Sequence, residues 1–139
     1  MKVVLNNEYG GYGLSTDILK MYLERTNTPY ETSFVQPEYY TNYDGIVVDG
    51  QPFYDDCIQR HDPVLIQILE GLQVLCRYKH LKIVEIPDFA SYSIGEYDGI
   101  EWIENTWIEV TIDELRSGLS QERLEQVSQV DFIRTIERT

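Results

Sequence analysis

SYSIGEYDGIEWIEN, Ser91 to Asn105, decides the fold. Asp98-Gly99 is a strong two-residue turn of type I′, because both central positions need positive φ and this dipeptide tolerates it. So short a loop sets the register. It pairs Tyr97 with Ile100, Glu96 with Glu101, Gly95 with Trp102 and Ile94 with Ile103. Gly95 opposite Trp102 leaves room for the indole ring. Beyond the turn, Ile100, Trp102, Thr106, Ile108, Val110 and Ile112 occupy alternate positions, interrupted by Glu104. This period of two predicts one long strand, or two broken near Asn105, with that face inward.

Working outward, LKIVEIP, Leu81 to Pro87, reads as a strand closed by Pro87-Asp88. Before it lies a helix. Asp62 is a good N-cap and Pro63 sits where a missing N–H costs nothing. Leu65, Ile68, Leu69, Leu72, Leu75 and Cys76 follow at helical spacing and predict a face against the core. At the N-terminus, Lys2 to Leu5 reads as a strand stopped by Asn6-Asn7. A second helix, capped by Ser15 or Thr16, carries Leu14, Ile18, Met21 and Tyr22 on one face and ends over Thr26 to Pro29.

Tyr30 to Asp56 is dense in tyrosine: Tyr30, Tyr39, Tyr40, Tyr43 and Tyr54. Pro37 and Pro52 argue against long regular elements, and Asp44-Gly45 and Asp49-Gly50 bracket IVVD as a short strand. Such a segment suits a cover over the core or a functional loop. Asp113 caps a short turn, DELRSG, ended by Gly118. Ser120 caps a last helix carrying Leu124, Val127, Val130, Ile133 and Ile136 at intervals of three, with Phe132 off that stripe and expected to be exposed at a partner surface. The expected fold is α+β: a small mixed or antiparallel sheet with a hairpin over 94–103, packed on two or three helices. Residues 1–112 form the core domain and 113–139 a helical extension of it.

The chain of 139 residues carries 24 acidic and 11 basic residues, a net charge of -13. No basic run exists, so direct binding to nucleic acid or an anionic membrane is disfavoured and not expected. No segment reaches the roughly 20 apolar residues of a membrane span, and the N-terminal run is too short for a signal peptide. A cytoplasmic location is expected. Cys57 and Cys76 lack a C-x-x-C spacing and read as reduced, semi-buried thiols, while His61 and His80 are isolated. No metal site and no cofactor are expected.

Three places could carry chemistry. The first is Tyr9-Gly10-Gly11-Tyr12-Gly13-Leu14-Ser15, between a strand and a helix start. It is neither G-x-G-x-x-G nor a P-loop. It reads either as a turn needing positive φ or as a cradle for an anionic, nucleotide-like ligand, with Tyr9 or Tyr12 stacking on a base. The second is Arg60-His61-Asp62: Arg60 could fork onto an anion and His61 act as acid or base, unless both are solvated neighbours of a cap. The third is Glu96 opposite Glu101. Facing like charges cost up to about 1 kcal/mol, so an Arg or Lys, a cation or water should offset them. A catalytic pair there would need a cleft.

Three segments taken together, N-x-x-Y-G-G-Y-G-L-S (Asn6–Ser15), R-x-D-P-x-L (Arg60–Leu65) and L-K-I-V-E-I-P-D (Leu81–Asp88) with E-Y-D-G-x-E (Glu96–Glu101), resemble a family of small proteins encoded by bacteriophages and bacteria. The resemblance spans roughly residues 2 to 107. Members often carry a basic pair before the Trp107 position; here Asn105-Thr106 stands there, which weakens an anion-binding role at that place. The resemblance implies a small viral-type protein that works by binding in the host cytoplasm.

Three functions follow as expectations. One is a non-enzymatic protein sequestering a nucleotide-like anion at Tyr9, Gly10, Gly11, Tyr12, Gly13 and Ser15, with Arg60 and His61 beside it. A symmetric homo-oligomer would favour it. Another is an acidic inhibitor of a host protein, or a mimic of DNA. The third is a hydrolase or transferase using His61 or Glu96 and Glu101.

Overall fold

The computed structural model describes residues 1–35, 43–75 and 77–137. Lys2–Asn6 forms strand β1. Helix α1 (Thr16–Arg25) follows, capped by the Ser15 hydroxyl, which accepts from the Ile18 N–H at 3.3 Å. Strand β2 (Glu31–Val35) pairs antiparallel with β3 (Tyr43–Val48), and Asp49-Gly50 turns β3 back into the two-residue β4 (Gln51–Pro52). A 3-10 turn, Asp55–Cys57, leads to α2 (Pro63–Val74), where Asp62 Oδ1 accepts from the N–H of Val64 at 2.9 Å and Leu65 at 3.3 Å. Strand β5 (Leu81–Glu85) then lies antiparallel to β1.

The hairpin of β6 (Ser91–Tyr97) and β7 (Ile100–Thr111) has the expected register at all four pairs from Tyr97–Ile100 to Ile94–Ile103. Asp98 and Gly99 take φ of 52° and 94°, as a type I′ turn requires. Two short helices, α3 (Ile112–Ser117) and α4 (Gln121–Val127), carry the chain to β8 (Phe132–Ile136), which runs parallel to β7. The fold is α+β, with described strands in three small sheets: β1–β5, β2–β3–β4 and β6–β7–β8.

One core gathers α1 and α2 around β1: Ile18, Leu19, Leu23, Leu65, Ile66, Ile68 and Leu69 pack with Val4, Ile46, Ile58 and Leu81. Each fully buried aliphatic side chain contributes about 1.5–3 kcal/mol of transfer free energy. Strand β1 touches α2 and also β7, and it is buried from Val3 to Asn6. It is therefore the element that joins the helices to the hairpin sheet.

Several expectations are corrected. The last helix stops at Val127, and Phe132–Ile136 is a strand, so residues 113–139 are not a purely helical extension. The free edge of β7 presents backbone groups that need partners, and Phe-Ile-Arg-Thr-Ile is rich in residues that suit a pleated edge. Asp131 locks the pairing: its N–H donates to the Thr106 carbonyl at 2.9 Å and its Oδ2 accepts from the Thr106 N–H at 2.8 Å. Thr111, not Asp113, caps α3.

Trp102 does not face inward. A bulge between Ser93 and Ile94 shifts the register, leaving Glu104 as the extra residue of β7. One added residue exchanges the faces. Glu101 is buried before it, and Thr106, Ile108 and Val110 are buried after it, while Trp102 stands 41% exposed. Leu75 lies beyond α2 and is exposed, and so is Cys57. Asp44-Gly45 lies within β3 and is no turn, and β2 was unforeseen. The expectations for Tyr39, Tyr40 and Cys76 fall outside the described residues. Among the described residues no helix is long and apolar enough to cross a membrane.

Candidate functional site

The polar centre of the molecule is built where β1, the glycine loop and the hairpin turn meet. Asn6 is 1% exposed, and a buried amide must find partners. Its Nδ2 donates to the carbonyls of Glu8 at 2.6 Å and Gly99 at 2.7 Å. The Gly10 N–H donates to the Asp98 carbonyl at 3.2 Å. Gly10 and Gly11 have φ of 109° and 93°. A Cβ on Gly99 would strike the Gly11 backbone and come within 2.7 Å of the Gly10 nitrogen. The glycines thus let two backbones touch: the loop is the seat of the hairpin turn.

Arg60 enters the same junction from the segment before α2. Its Nη1 and Nη2 donate to the two oxygens of Glu101 at 2.7 and 2.9 Å, a bidentate pair, and Nη1 also reaches the Val4 carbonyl at 3.2 Å. The Asn6 N–H donates to Glu101 Oε1 at 2.8 Å. Burial pushes the Glu101 carboxyl up, but Arg60 and the Asn6 N–H outweigh it and hold the group below the usual carboxylate value. The Tyr12 ring covers the guanidinium, 3.3 Å from ring centre to the guanidinium carbon. Burial, against the pull of Arg60, pushes the Tyr12 hydroxyl up to about 12, and that hydroxyl has no hydrogen-bond partner among the described residues.

His61 turns to the hairpin as well: its Nδ1 lies 2.7 Å from the Tyr92 hydroxyl, with the rings edge to face. Burial raises the Tyr92 hydroxyl while Arg60 lowers it. Ser15 caps α1 and lies 3.0 Å from the Tyr78 hydroxyl, and Gly13 passes close to Asp55.

The expected site residues therefore divide. Tyr12, Arg60 and His61 belong to the junction and Ser15 to a cap. Tyr9, Gly10 and Gly11 line an open depression of about 690 Å³ together with Glu96, Asp98 and Gly99. Carboxylates border that depression, and both terminal nitrogens of Arg60 are committed to Glu101. The expected offset for the Glu96–Glu101 pair is found in Arg60. Glu96 itself is exposed and accepts from the Gly99 N–H, so the two carboxylates serve different partners.

Asn6 and Tyr92 were not anticipated as members of this network. Nothing local marks them as joined to the hairpin and to the segment before α2, since Gly99 lies 93 residues from Asn6 and His61 lies 31 from Tyr92. The outer face of β6–β7–β8 carries exposed Tyr97, Trp102 and Phe132; Phe132 was expected to be exposed, whereas Tyr97 and Trp102 were not anticipated there. The rings of Trp107 and Phe132 stack there with centres 5.4 Å apart. Comparison with protein-family models, with curated proteins and with solved structures finds no match to this chain.

Proposed function

We propose that this is a non-enzymatic, acidic binding protein that captures a basic partner protein, as an inhibitor or a mimic of DNA. One observation carries the reading: between Lys82 and Arg116 the chain holds nine acidic residues and no Lys or Arg. Within that stretch Glu101 is the buried acid, and it is neutralised from outside by Arg60. Glu96, Asp98, Glu104 and Glu109 are exposed and, among the described residues, form no ion pair. Concentrated, unpaired charge of one sign steers an oppositely charged partner and speeds its encounter. The role agrees with the viral-type binding that the resemblance to phage-encoded proteins implies.

Sequestration of a nucleotide-like anion has less support. Its counter-charge is occupied by Glu101, and carboxylates border the depression at the glycine loop. The deciding experiment is affinity capture from a host extract with the immobilised protein. Basic proteins that elute with rising salt support the reading. Recovery of none, or of acidic proteins insensitive to salt, removes it. A thermal-shift panel of nucleotides run in parallel tests the anion reading; a saturable rise in melting temperature would favour it instead.

A further inference from the structure

We infer that the outer face of the β6–β7–β8 sheet is the docking surface, and that it takes an extended, arginine-rich segment of the partner protein. The inference rests on the basic-partner reading and adds where and how the partner is held.

Register places the residues. Residues opposite one another in a sheet share a face. Tyr97 lies opposite Ile100, Gly95 opposite Trp102, and Trp107 is flanked by Ser91 and Phe132. Along β6 these alternate residues point one way, so Tyr97, Trp102, Trp107 and Phe132 lie on one face. The chain has two tryptophans, and both are here. Tyr97 is 71%, Trp102 41% and Phe132 44% exposed. From Ile100 to Glu109 the strand runs about 30 Å, the reach of an extended segment of roughly nine residues.

Charge complementarity names the occupant. Exposed Glu104 at the bulge and Glu109 beside Trp107 flank the aromatic row, with Asp98 at the hairpin turn, while exposed Arg134 stands opposite Glu109 on β8 without, among the described residues, an ion pair to it. A second copy of the chain, itself at -13, would be repelled. Aromatic faces bordered by carboxylates suit guanidinium groups, which stack on a ring and fork to an acid at once. The molecule does this internally, where Arg60 lies over Tyr12 and pairs with Glu101. Gly95 keeps the Trp102 ring flat on the sheet: a Cβ there would meet the indole at 2.6 Å.

The test is isothermal titration of the full chain with deca-arginine and deca-lysine peptides, alongside tryptophan emission. Deca-arginine should bind more tightly than deca-lysine and shift the emission. Trp102→Ala and Phe132→Ala should each weaken it by roughly tenfold. Tyr54→Ala, an exposed aromatic off this face, should stay within twofold of the parent. Circular dichroism confirms that each variant folds, and Glu109→Lys probes the face if one does not. Binding that Trp102→Ala, Phe132→Ala and Glu109→Lys leave intact overturns this surface and spares the basic-partner reading. Binding of neither peptide at low salt removes both. A dimer that Phe132→Ala dissolves would assign the face to a second copy and overturn the inference.

Discussion

Replacing Glu101 by alanine removes one carboxylate that serves three elements. It strands the Arg60 guanidinium, whose side chain is 22% exposed, and orphans the Asn6 N–H. Breaking a buried ion pair from one side costs about 3–5 kcal/mol, because the remaining charge stays desolvated. That is a large part of the roughly 5–15 kcal/mol that holds a domain together. For 139 residues the unfolding entropy is about 0.3 kcal/mol/K, so the melting temperature should fall by roughly 10–17 °C. Calorimetry of Glu101→Ala, Arg60→Met and the pair Arg60→Met/Glu101→Ala forms the cycle. The double variant should recover much of the loss, since no lone charge is left. The pH dependence carries a sign. Glu101 has its folded value lowered from 4.5, so its stabilisation is full above about 4.5 and is lost as pH falls below it. Alanine should flatten that acid limb. A single-variant loss under about 1 kcal/mol, or additive effects in the double, would refute the junction as an energetic unit.

Three further outcomes follow. Gly99→Ala should destabilise by about 2 kcal/mol or more, since positive φ and a clash with the Gly11 backbone coincide; Gly50→Ala, with open space around it, should lose only about 1 kcal/mol in urea unfolding. Tyr12→Phe should be neutral or stabilising by up to about 1 kcal/mol, because it keeps the ring over Arg60 and removes an unpartnered buried hydroxyl; Tyr12→Leu should lose stability in the same assay. Asp131→Ala should cost about 1–2 kcal/mol and raise hydrogen exchange across Phe132–Ile136, as its carboxylate anchors Thr106 where β8 begins.

Local chemistry made much of the fold legible. Asp98-Gly99 specifies a turn through φ alone, and the turn carries four cross-strand pairs with it. Ser15 and Asp62 mark helix starts because a side-chain oxygen caps N–H groups two or three residues on. These signals act over a few residues, so sequence contains them whole. Ile133 and Ile136 show the limit: their spacing of three suits a helix, yet the unpaired edge of β7 makes Phe132–Ile136 a strand. Local propensity yields there to a partner two helices away.

The site follows the same division. Tyr9 to Ser15 was recognisable as a special loop from its glycines, and Glu96–Glu101 as a pair needing an offset. That the loop seats the hairpin, and that Arg60 supplies the offset, depends on contacts 41 to 95 residues apart. The aromatic face depended on one residue, Glu104, whose insertion turns Trp102 outward while Thr106, Ile108 and Val110 stay in. Residue types by themselves determined the turns, the caps, the acidity and the α+β class. Only the tertiary structure decided which side of β7 meets solvent, because a bulge reverses phase without changing composition.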